Sequence, residues 1–379
     1  MIFDFIVIGG GIAGASLAFE LSKDSRVCLL EAETQPGVHT TGRSAALFAP
    51  SYGGTEVRAL TRASQAFFMQ PPSGFCEQAL LHPRGCMFIA RGDQAGRLEK
   101  MVDEVAASGG DLSPIAPARA FDLVPRLRHD YLAVAALDTQ AMDIDVAELH
   151  RGFLRGARRA GARVETDARV CEARWRHGFW SASVRGEAVE AAVLVNAAGA
   201  WADQVAAACG AQPLGLRPLR RTAMVVDGPG GIDLRAWPTV IDVDEAFYFK
   251  PEAGGLLLSP ADETPVEPCD AQPDEMDIAV GVDRVMTALD VEVRRIRRSW
   301  AGLRTFAPDR TPVIGFDKDL PGFFWCAGQG GYGIQTSPAM ARTAAALAQG
   351  RTIPADILAE GLTHSALSPG RLASAPRKQ

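Results

Sequence analysis

The chain has no apolar run of the roughly 18–20 residues that a membrane-spanning helix needs. Asp4 interrupts its first apolar stretch, so no export signal is expected either. It has no C-x-x-C pair: its seven cysteines (Cys28, Cys76, Cys86, Cys171, Cys209, Cys269, Cys326) are scattered. That pattern argues against a zinc site and predicts free thiols in a reducing compartment. The six histidines are scattered too. There is no basic tract or aromatic–basic array, and a net charge of −6 argues against nucleic acid as a partner. What remains, 47% hydrophobic and 22% charged residues, is the composition of a globular protein. At 379 residues the chain exceeds one ordinary domain, so two are expected.

The most informative stretch comes first. Residues 3–8 read as an apolar strand, Gly9-Gly10-Gly11-Ile12-Ala13-Gly14 as a G-x-G-x-x-G turn, and residues 15–23 as a helix. Residues 26–30 form a second strand that ends on Glu31, 20 residues after Gly11, and continues into Ala32. Gly9 permits the tight turn, Gly11 lets backbone approach a pyrophosphate, and Gly14 lets the helix lie close to the strand. The helix N-terminus supplies unpaired N–H groups and a positive dipole end to the phosphates. Glu31 is placed to accept hydrogen bonds from a ribose 2′-OH and to repel a 2′-phosphate. Strand, turn, helix and terminal acid together predict a dinucleotide site, which NAD would satisfy as well as FAD.

Further along, Thr40-Thr41-Gly42-Arg43-Ser44-Ala45-Ala46 can set donors around a pyrophosphate and a ring system; it also fits an ordinary helix start with Thr or Ser as N-cap. Residues 50–56 are a Gly/Pro-rich connection carrying Tyr52, which is either a mobile lid or a surface turn. Residues 57–140 mix helices with a strand at 86–90; a helix at 145–160 and short strands over 162–184 follow. The apolar strand 191–195 leads into Asn196-Ala197-Ala198-Gly199-Ala200-Trp201, where small residues admit a ligand or simply a tight strand-to-helix crossing. Strands at 221–226, 239–243, 246–250, 255–259 and 291–300 read as an antiparallel sheet. A strand at 323–327 precedes Gly328-Gln329-Gly330-Gly331-Tyr332-Gly333 and a helix through residue 348, and residues 368–379 are expected to fray. This second glycine run also fits G-x-G-x-x-G. Beyond its helix, however, the chain meets Gly350 and Pro354 rather than a strand ending in an acid. A loop and helix N-terminus facing one large cofactor, held by the first site, is the better reading.

The N-terminal fingerprint, the Asn-Ala-Ala-Gly-Ala-Trp turn and the C-terminal glycine loop, in this order, resemble the D-amino acid oxidase-like family of FAD-dependent amine oxidoreductases, relatives of glycine oxidase and sarcosine oxidase. Gly42-Arg43-Ser44-Ala45-Ala46, Phe247-Tyr248, Trp300-Ala301-Gly302-Leu303-Arg304 and Gln329-Gly330-Gly331-Tyr332-Gly333-Ile334-Gln335-Thr336 look most like bacterial D-arginine dehydrogenase-type members. The resemblance covers nearly the whole chain. It implies an α/β fold: a discontinuous Rossmann-like FAD-binding domain from 1–80, 143–215 and 306–379, and an antiparallel-sheet α+β substrate domain from 81–142 and 216–305. It also implies non-covalent FAD, with His39 a turn residue rather than an attachment point. Cofactor contacts would come from Gly9, Gly11, Ile12, Ala13, Gly14, Glu31, Ala32 and residues 41–46, then from Val170, Ala198, Gly199 and Trp201, and finally from residues 330–336. Arg221 and Arg304 match the family's carboxylate-binding pair, a task that suits the guanidinium fork. Tyr52 and Tyr248 match pocket-lining residues, and Gly331 and Gln335 match positions beside flavin and substrate. Apart from the resemblance, a surface arginine and a half-buried packing tyrosine are the ordinary alternatives. The implied reaction is hydride transfer from Cα to flavin N5, then hydrolysis of the imino acid to a 2-oxo acid and ammonia. No dedicated protein base is evident, and positioning would do most of the work.

The chain departs from the D-arginine-type pattern in its side-chain pocket. The acidic residue that holds the substrate's cationic end is matched here by Cys86, flanked by Gly85 and Met87. A histidine expected nearby is Leu47, beside Phe48 and Ala49, and Thr239 and Ile241 add no charge. Burying a guanidinium without an anion is costly, so neutral, apolar D-amino acids are expected over D-arginine or D-lysine. Asp242 is close by, but strand alternation should point it away from the face of Ile241. The rival readings are a glycine/sarcosine-type amine oxidase, a 2-hydroxy acid dehydrogenase of similar architecture, and a non-catalytic flavoprotein. A quinone acceptor would fit the family and would bring an otherwise cytoplasmic protein to the surface of the inner membrane.

Overall fold

A computed structural model describes residues 2–230 and 232–374. Two large sheets organise it. The first has eight strands. At its centre Ile2–Ile8 pairs in parallel with Val27–Leu30 on one side and Glu187–Asn196 on the other. Phe323–Ala327 extends the parallel run, and Arg163–Glu165 lies beyond Val27–Leu30. These strands are apolar almost throughout because helices cover both their faces. On one face lie Ile12–Leu21, Val146–Arg159 and Gly333–Ala348; Ala202–Cys209 packs on the other. Asp145 caps Val146–Arg159 by accepting the Glu148 N–H at 2.8 Å. Pro338 sits inside Gly333–Ala348, and the Ile334 carbonyl that its missing N–H would have met instead accepts the Ser337 hydroxyl at 2.9 Å.

The second sheet has ten strands and is mostly antiparallel. In order they are Gln329–Gly330, Ile296–Phe306, Arg217–Val226, Gly255–Ser259, Tyr248–Glu252, Thr239–Asp242, Cys86–Ala90, Val134–Asp138 and Ser113–Ile115, with Thr264–Pro265 paired to the side of Arg217–Val226. The junction of Thr239–Asp242 with Cys86–Ala90 is parallel, not antiparallel as the turn pattern predicts. These strands come from distant segments, so no hairpin dictates their direction. Leu47–Phe48, Met142–Ile144 and Leu81–Pro83 form a small third sheet.

Two boundaries differ most from the sequence reading. The strand expected at 291–300 starts at Ile296 and runs on to Phe306, straight through Gly302. Its ladder to Arg217–Val226 carries it, pairing Arg221 with Gly302 and Leu219 with Arg304. The expected frayed end is also tied down: Pro369–Ser374 is a 3-10 turn, and Arg371 makes a two-pronged ion pair with Asp309 at 2.7 and 3.1 Å. Residues 375–379 of that segment lie outside the described residues. No helix among the described residues is long and apolar enough to cross a membrane.

Candidate active site

A cavity of about 380 Å³ runs between the two sheets, from the first glycine turn to the arginine-bearing strands. At one end Gly9 has φ +102°, and a Cβ on it would lie 2.5 Å from the Ala197 carbonyl oxygen. A Cβ on Gly14 would lie 1.9 Å from the Gly9 carbonyl oxygen, so the first helix can touch its strand only through glycine. Thr41 Oγ1 accepts the Ile12 N–H at 3.0 Å, while Gly11, the N-cap, offers no side chain to the helix. Glu31 lines the cavity but also holds the turn: its carboxylate accepts the Gly10 N–H at 2.7 Å and the Glu33 N–H at 2.9 Å.

Ile12, Ala13, Ala32, Thr41, Ser44, Ala45, Val170, Ala198, Gly199 and Trp201 line the middle of the cavity. Asn196 builds the Asn-Ala-Ala-Gly-Ala-Trp turn, donating to the Ala202 carbonyl at 2.7 Å and accepting the Ala198 N–H at 3.3 Å. His39 also lines it, its ring tilted against that of Trp201 with centroids 4.7 Å apart. Gly330, Gly331, Gly333 and Ile334 line the far end, at the N-terminus of Gly333–Ala348, which has no side-chain cap and no acid in its first turn.

Several expected cofactor contacts are spent elsewhere. Arg43 donates to the carbonyls of Val38, Ala271 and Ala301 and pairs with Asp270, which leaves no free fork for a phosphate. Gly42 and Ala46 are not among the lining residues, and the Thr336 hydroxyl turns back to the Tyr332 carbonyl at 2.9 Å. Tyr332 points to Tyr52 and Phe306, with ring centroids 5.3 and 6.3 Å away.

At the far end, Arg221, Tyr248 and Arg304 face the cavity together. Because Arg221 pairs with Gly302, Arg304 is its diagonal neighbour on the same face of the sheet. The two arginines are held very differently. Arg221 is 7% exposed; its Nε donates to the Asp262 carbonyl at 2.8 Å and its Nη2 to Glu263 at 3.1 Å. Arg304 makes no hydrogen bond or ion pair with any described residue, and a Cβ on Gly331 would lie 2.7 Å from its Nη1. Burial would lower the Arg304 guanidinium, but Tyr248, Tyr52, Tyr332 and the Glu245 carboxylate outweigh it and hold it above its ordinary value. Burial, and then its neighbour Arg304, lower Arg221.

Tyr52 is half-buried and donates to Glu245 at 3.0 Å. Burial, reinforced by that carboxylate, pushes the phenol well above its ordinary value, so Tyr52 keeps its proton. Glu245 sits at φ +54° on the turn after Thr239–Asp242. The sequence reading passed over it, because an acid on a turn gives no signal that it faces a site. It also passed over His150, whose buried Nε2–H donates to the Gly10 carbonyl at 2.7 Å and whose ring burial keeps neutral.

The expected side-chain pocket is only partly brought together. Leu47, Cys86, Ile241 and Tyr248 share one apolar cluster, and register puts Thr239 on the same face as Cys86. Cys86 and Thr239 are buried, and the Thr239 hydroxyl has no partner. Phe48 does not join them. As the neighbour of Leu47 on one strand it points the other way, into the core of the first layer, 5.5 Å from Phe68. Asp242 turns away as alternation requires, accepting from Tyr131 at 2.9 Å and Gln94 at 3.0 Å. Gln335 bonds the Ala49 N–H through Oε1 at 3.1 Å, leaving its buried Nε2 unpaired.

An elongated cavity with uncapped helix N-termini at both ends fits a pyrophosphate at one end and an electron-rich ring at the other. Comparison with known proteins agrees. Glycine oxidase of Geobacillus kaustophilus is 24% identical over 382 residues, covering 95% of this chain and 97% of that protein. The crystal structure of glycine oxidase from Geobacillus kaustophilus superposes with a TM-score of 0.83 at 23% identity, over 96% of this chain and 98% of that one. Iminodiacetate oxidase from Chelativorans sp. BNC1 gives a TM-score of 0.77 at 19% identity, over 96% and 98%. Residues 4–347 match the family of FAD dependent oxidoreductases (DAO), and the chain belongs to it: it is an FAD-dependent oxidoreductase.

Proposed function

We propose that this chain oxidises the Cα–N bond of a small D-amino acid with a neutral side chain, giving an imino acid that water converts to a 2-oxo acid and ammonia. The observation that carries this is Arg304, a cation facing the cavity with no hydrogen-bond or ion-pair partner among the described residues. A half-buried guanidinium without an ion-pair partner is poised to receive an anion, and a substrate carboxylate matches its fork. Bound FAD, held without a covalent link, would accept the two electrons and the Cα hydrogen. The protein's own part is positional. Arg304 would fix the carboxylate, with the remaining Nη1 of Arg221 beside it. Tyr248 would border the reacting carbon, and the protonated Tyr52 would close the site from the 50–54 turn. Leu47, Cys86 and Ile241 offer no charge to a side chain. We also retain as proposals the division into an FAD-binding domain (1–80, 143–215, 306–379) and a substrate domain (81–142, 216–305), and an acceptor such as a quinone.

A second reading, a glycine- or sarcosine-type amine oxidase, is favoured by one specific observation. Cys86, Thr239 and Ile241 are packed almost shut, at 0%, 4% and 6% exposure, which suits a substrate with little or no side chain. Relatives named glycine oxidase and iminodiacetate oxidase point the same way. Anaerobic bleaching of the flavin by D- and L-amino acids, glycine, sarcosine and 2-hydroxy acids tests both readings. Bleaching by D-leucine or D-methionine is expected. Bleaching by glycine and sarcosine alone selects the second reading, bleaching by hydroxy acids alone overturns both, and D-arginine outrunning the neutral D-amino acids overturns the specificity.

A further inference from the structure

At the arginine end of the cavity Arg221 and Arg310 both pair with Glu263, while Arg304 has no ion pair among the described residues. Glu263 is the hub. It accepts from Arg221 Nη2 at 3.1 Å through Oε1 and from both Arg310 Nη atoms, at 2.8 and 3.0 Å. It is not among the residues that line the cavity, so it grips Arg221 without occupying the substrate's space. Its backbone neighbour completes the grip: the Asp262 carbonyl takes the Arg221 Nε–H, and the Asp262 side chain takes the Thr222 N–H at 2.6 Å and hydroxyl at 3.0 Å. Arg310 lies over the face of Phe306, 3.9 Å from its centroid, which steadies the outer side of the hub.

We infer that Glu263 is a specificity-determining residue that sets the charge of this site to accept one carboxylate and to reject a second. This rests on the reading of Arg304 as a carboxylate receptor. Glu263 pairs with Arg221 and Arg310, and Arg304 is the cavity cation left without an ion pair among the described residues, which leaves one cation to meet a substrate carboxylate. An amino acid that binds with its amine neutral, as oxidation requires, brings one negative charge and cancels it. A dicarboxylate brings a second negative charge into a place where Arg221 is already taken. Without Glu263, Arg221 and Arg310 would be free to receive that second carboxylate.

Calorimetric titration of the FAD-loaded enzyme with butyrate and with succinate tests this without relying on turnover. Wild type should bind butyrate in preference to succinate. Glu263→Gln should raise the succinate-to-butyrate affinity ratio about tenfold or more, the worth of one partly buried charge at close range. Glu263→Asp, which keeps the charge, should stay near wild type. Arg310→Gln removes a cation from the exposed side of the hub, 49% exposed, and should move the ratio the opposite way even if Glu263→Gln fails to fold. An unchanged ratio in Glu263→Gln, or in Arg310→Gln where the first variant does not fold, overturns the role of Glu263 while leaving Arg304 in place. Wild-type enzyme that binds neither acid, or binds butyrate equally well after Arg304→Ala, overturns the carboxylate reading itself.

Discussion

The contrast between the two cavity arginines leads to a paired prediction. Arg304 makes no hydrogen bond or ion pair with any described residue, so Arg304→Ala removes chiefly what it does for a substrate. Two charge-assisted hydrogen bonds to a carboxylate are worth about 3–6 kcal/mol together, or roughly two to four powers of ten in kcat/KM. The fold should lose little, since no described residue is left short of a hydrogen-bond partner. Arg221→Ala should behave the other way round. It strips a donor from the Asp262 carbonyl and from Glu263, a cost of about 1–3 kcal/mol, or a melting shift of roughly 2–4 °C per kcal/mol. Its kinetic loss should be smaller, because only Nη1 is free for a ligand. Anaerobic stopped-flow reduction of the flavin gives the kinetics, and fluorescence of released FAD gives the melting points. A fall in kcat/KM of less than threefold for Arg304→Ala would refute the reasoning. So would equal loss of melting temperature in the two variants.

Three further outcomes follow from the geometry. Gly14→Ala pushes a methyl to 1.9 Å from the Gly9 carbonyl oxygen; the protein should purify largely free of FAD, read as a collapsed ratio of flavin to protein absorbance, and normal loading would show that the turn has slack. Tyr52→Phe loses the 3.0 Å bond to Glu245, worth about 1.5–3 kcal/mol for a charged acceptor, so amide exchange across residues 50–54 should quicken by roughly ten- to a hundredfold; unchanged protection would mean that packing alone holds the turn. Glu148 accepts the Glu77 N–H at 3.0 Å and pairs with Arg155, and these bonds lower its carboxyl below the ordinary 4.5. An acid with a depressed folded value stabilises the fold above its unfolded value and loses that contribution as pH falls through the folded one. The melting difference between wild type and Glu148→Gln should therefore be full above pH 4.5 and shrink in more acid buffer; a difference that grows on acidification would reverse the assigned sign.

What was legible in the sequence was whatever only one residue type can do. A turn in which Gly9 and Gly14 touch backbone admits nothing but glycine, so strand, turn, helix and Glu31 could be placed before any coordinates. Apolar runs likewise placed most strands within a few residues. The charged half of the site was not legible. Glu245, Glu263 and Arg310 sit on separate turns, and nothing local marks a turn carboxylate as the partner of an arginine some forty residues away in sequence. Arg43 misled for the opposite reason. Its motif suggested a phosphate donor, but its guanidinium reaches across to Ala271 and Ala301, hundreds of residues distant, and only the packing of the two sheets reveals that. Phe48 failed through alternation: a two-residue strand can send only one of its side chains to the pocket.

That use of Arg43 bears on how a site split between two sheets can be held to the precision that substrate positioning needs. Three bonds tie the 39–43 segment, which borders the cofactor cavity, to the strand that carries Arg304. The Thr40 hydroxyl donates to the Leu303 carbonyl at 3.0 Å, Arg43 Nη1 donates to the Ala301 carbonyl at 2.9 Å, and Trp300 Nε1 donates to the Arg43 carbonyl at 2.9 Å. They bracket Gly302, where a Cβ would sit 3.4 Å from the Cβ of Arg43, at the near edge of ordinary van der Waals contact. The two segments touch there, and the touching segments fix where Arg304 begins. The arginine is thus located relative to the cofactor cradle by side-chain-to-backbone bonds at Trp300, Ala301 and Leu303, just before it on its strand, not by a partner of its own among the described residues. Its guanidinium can therefore stay free for a ligand without becoming loose.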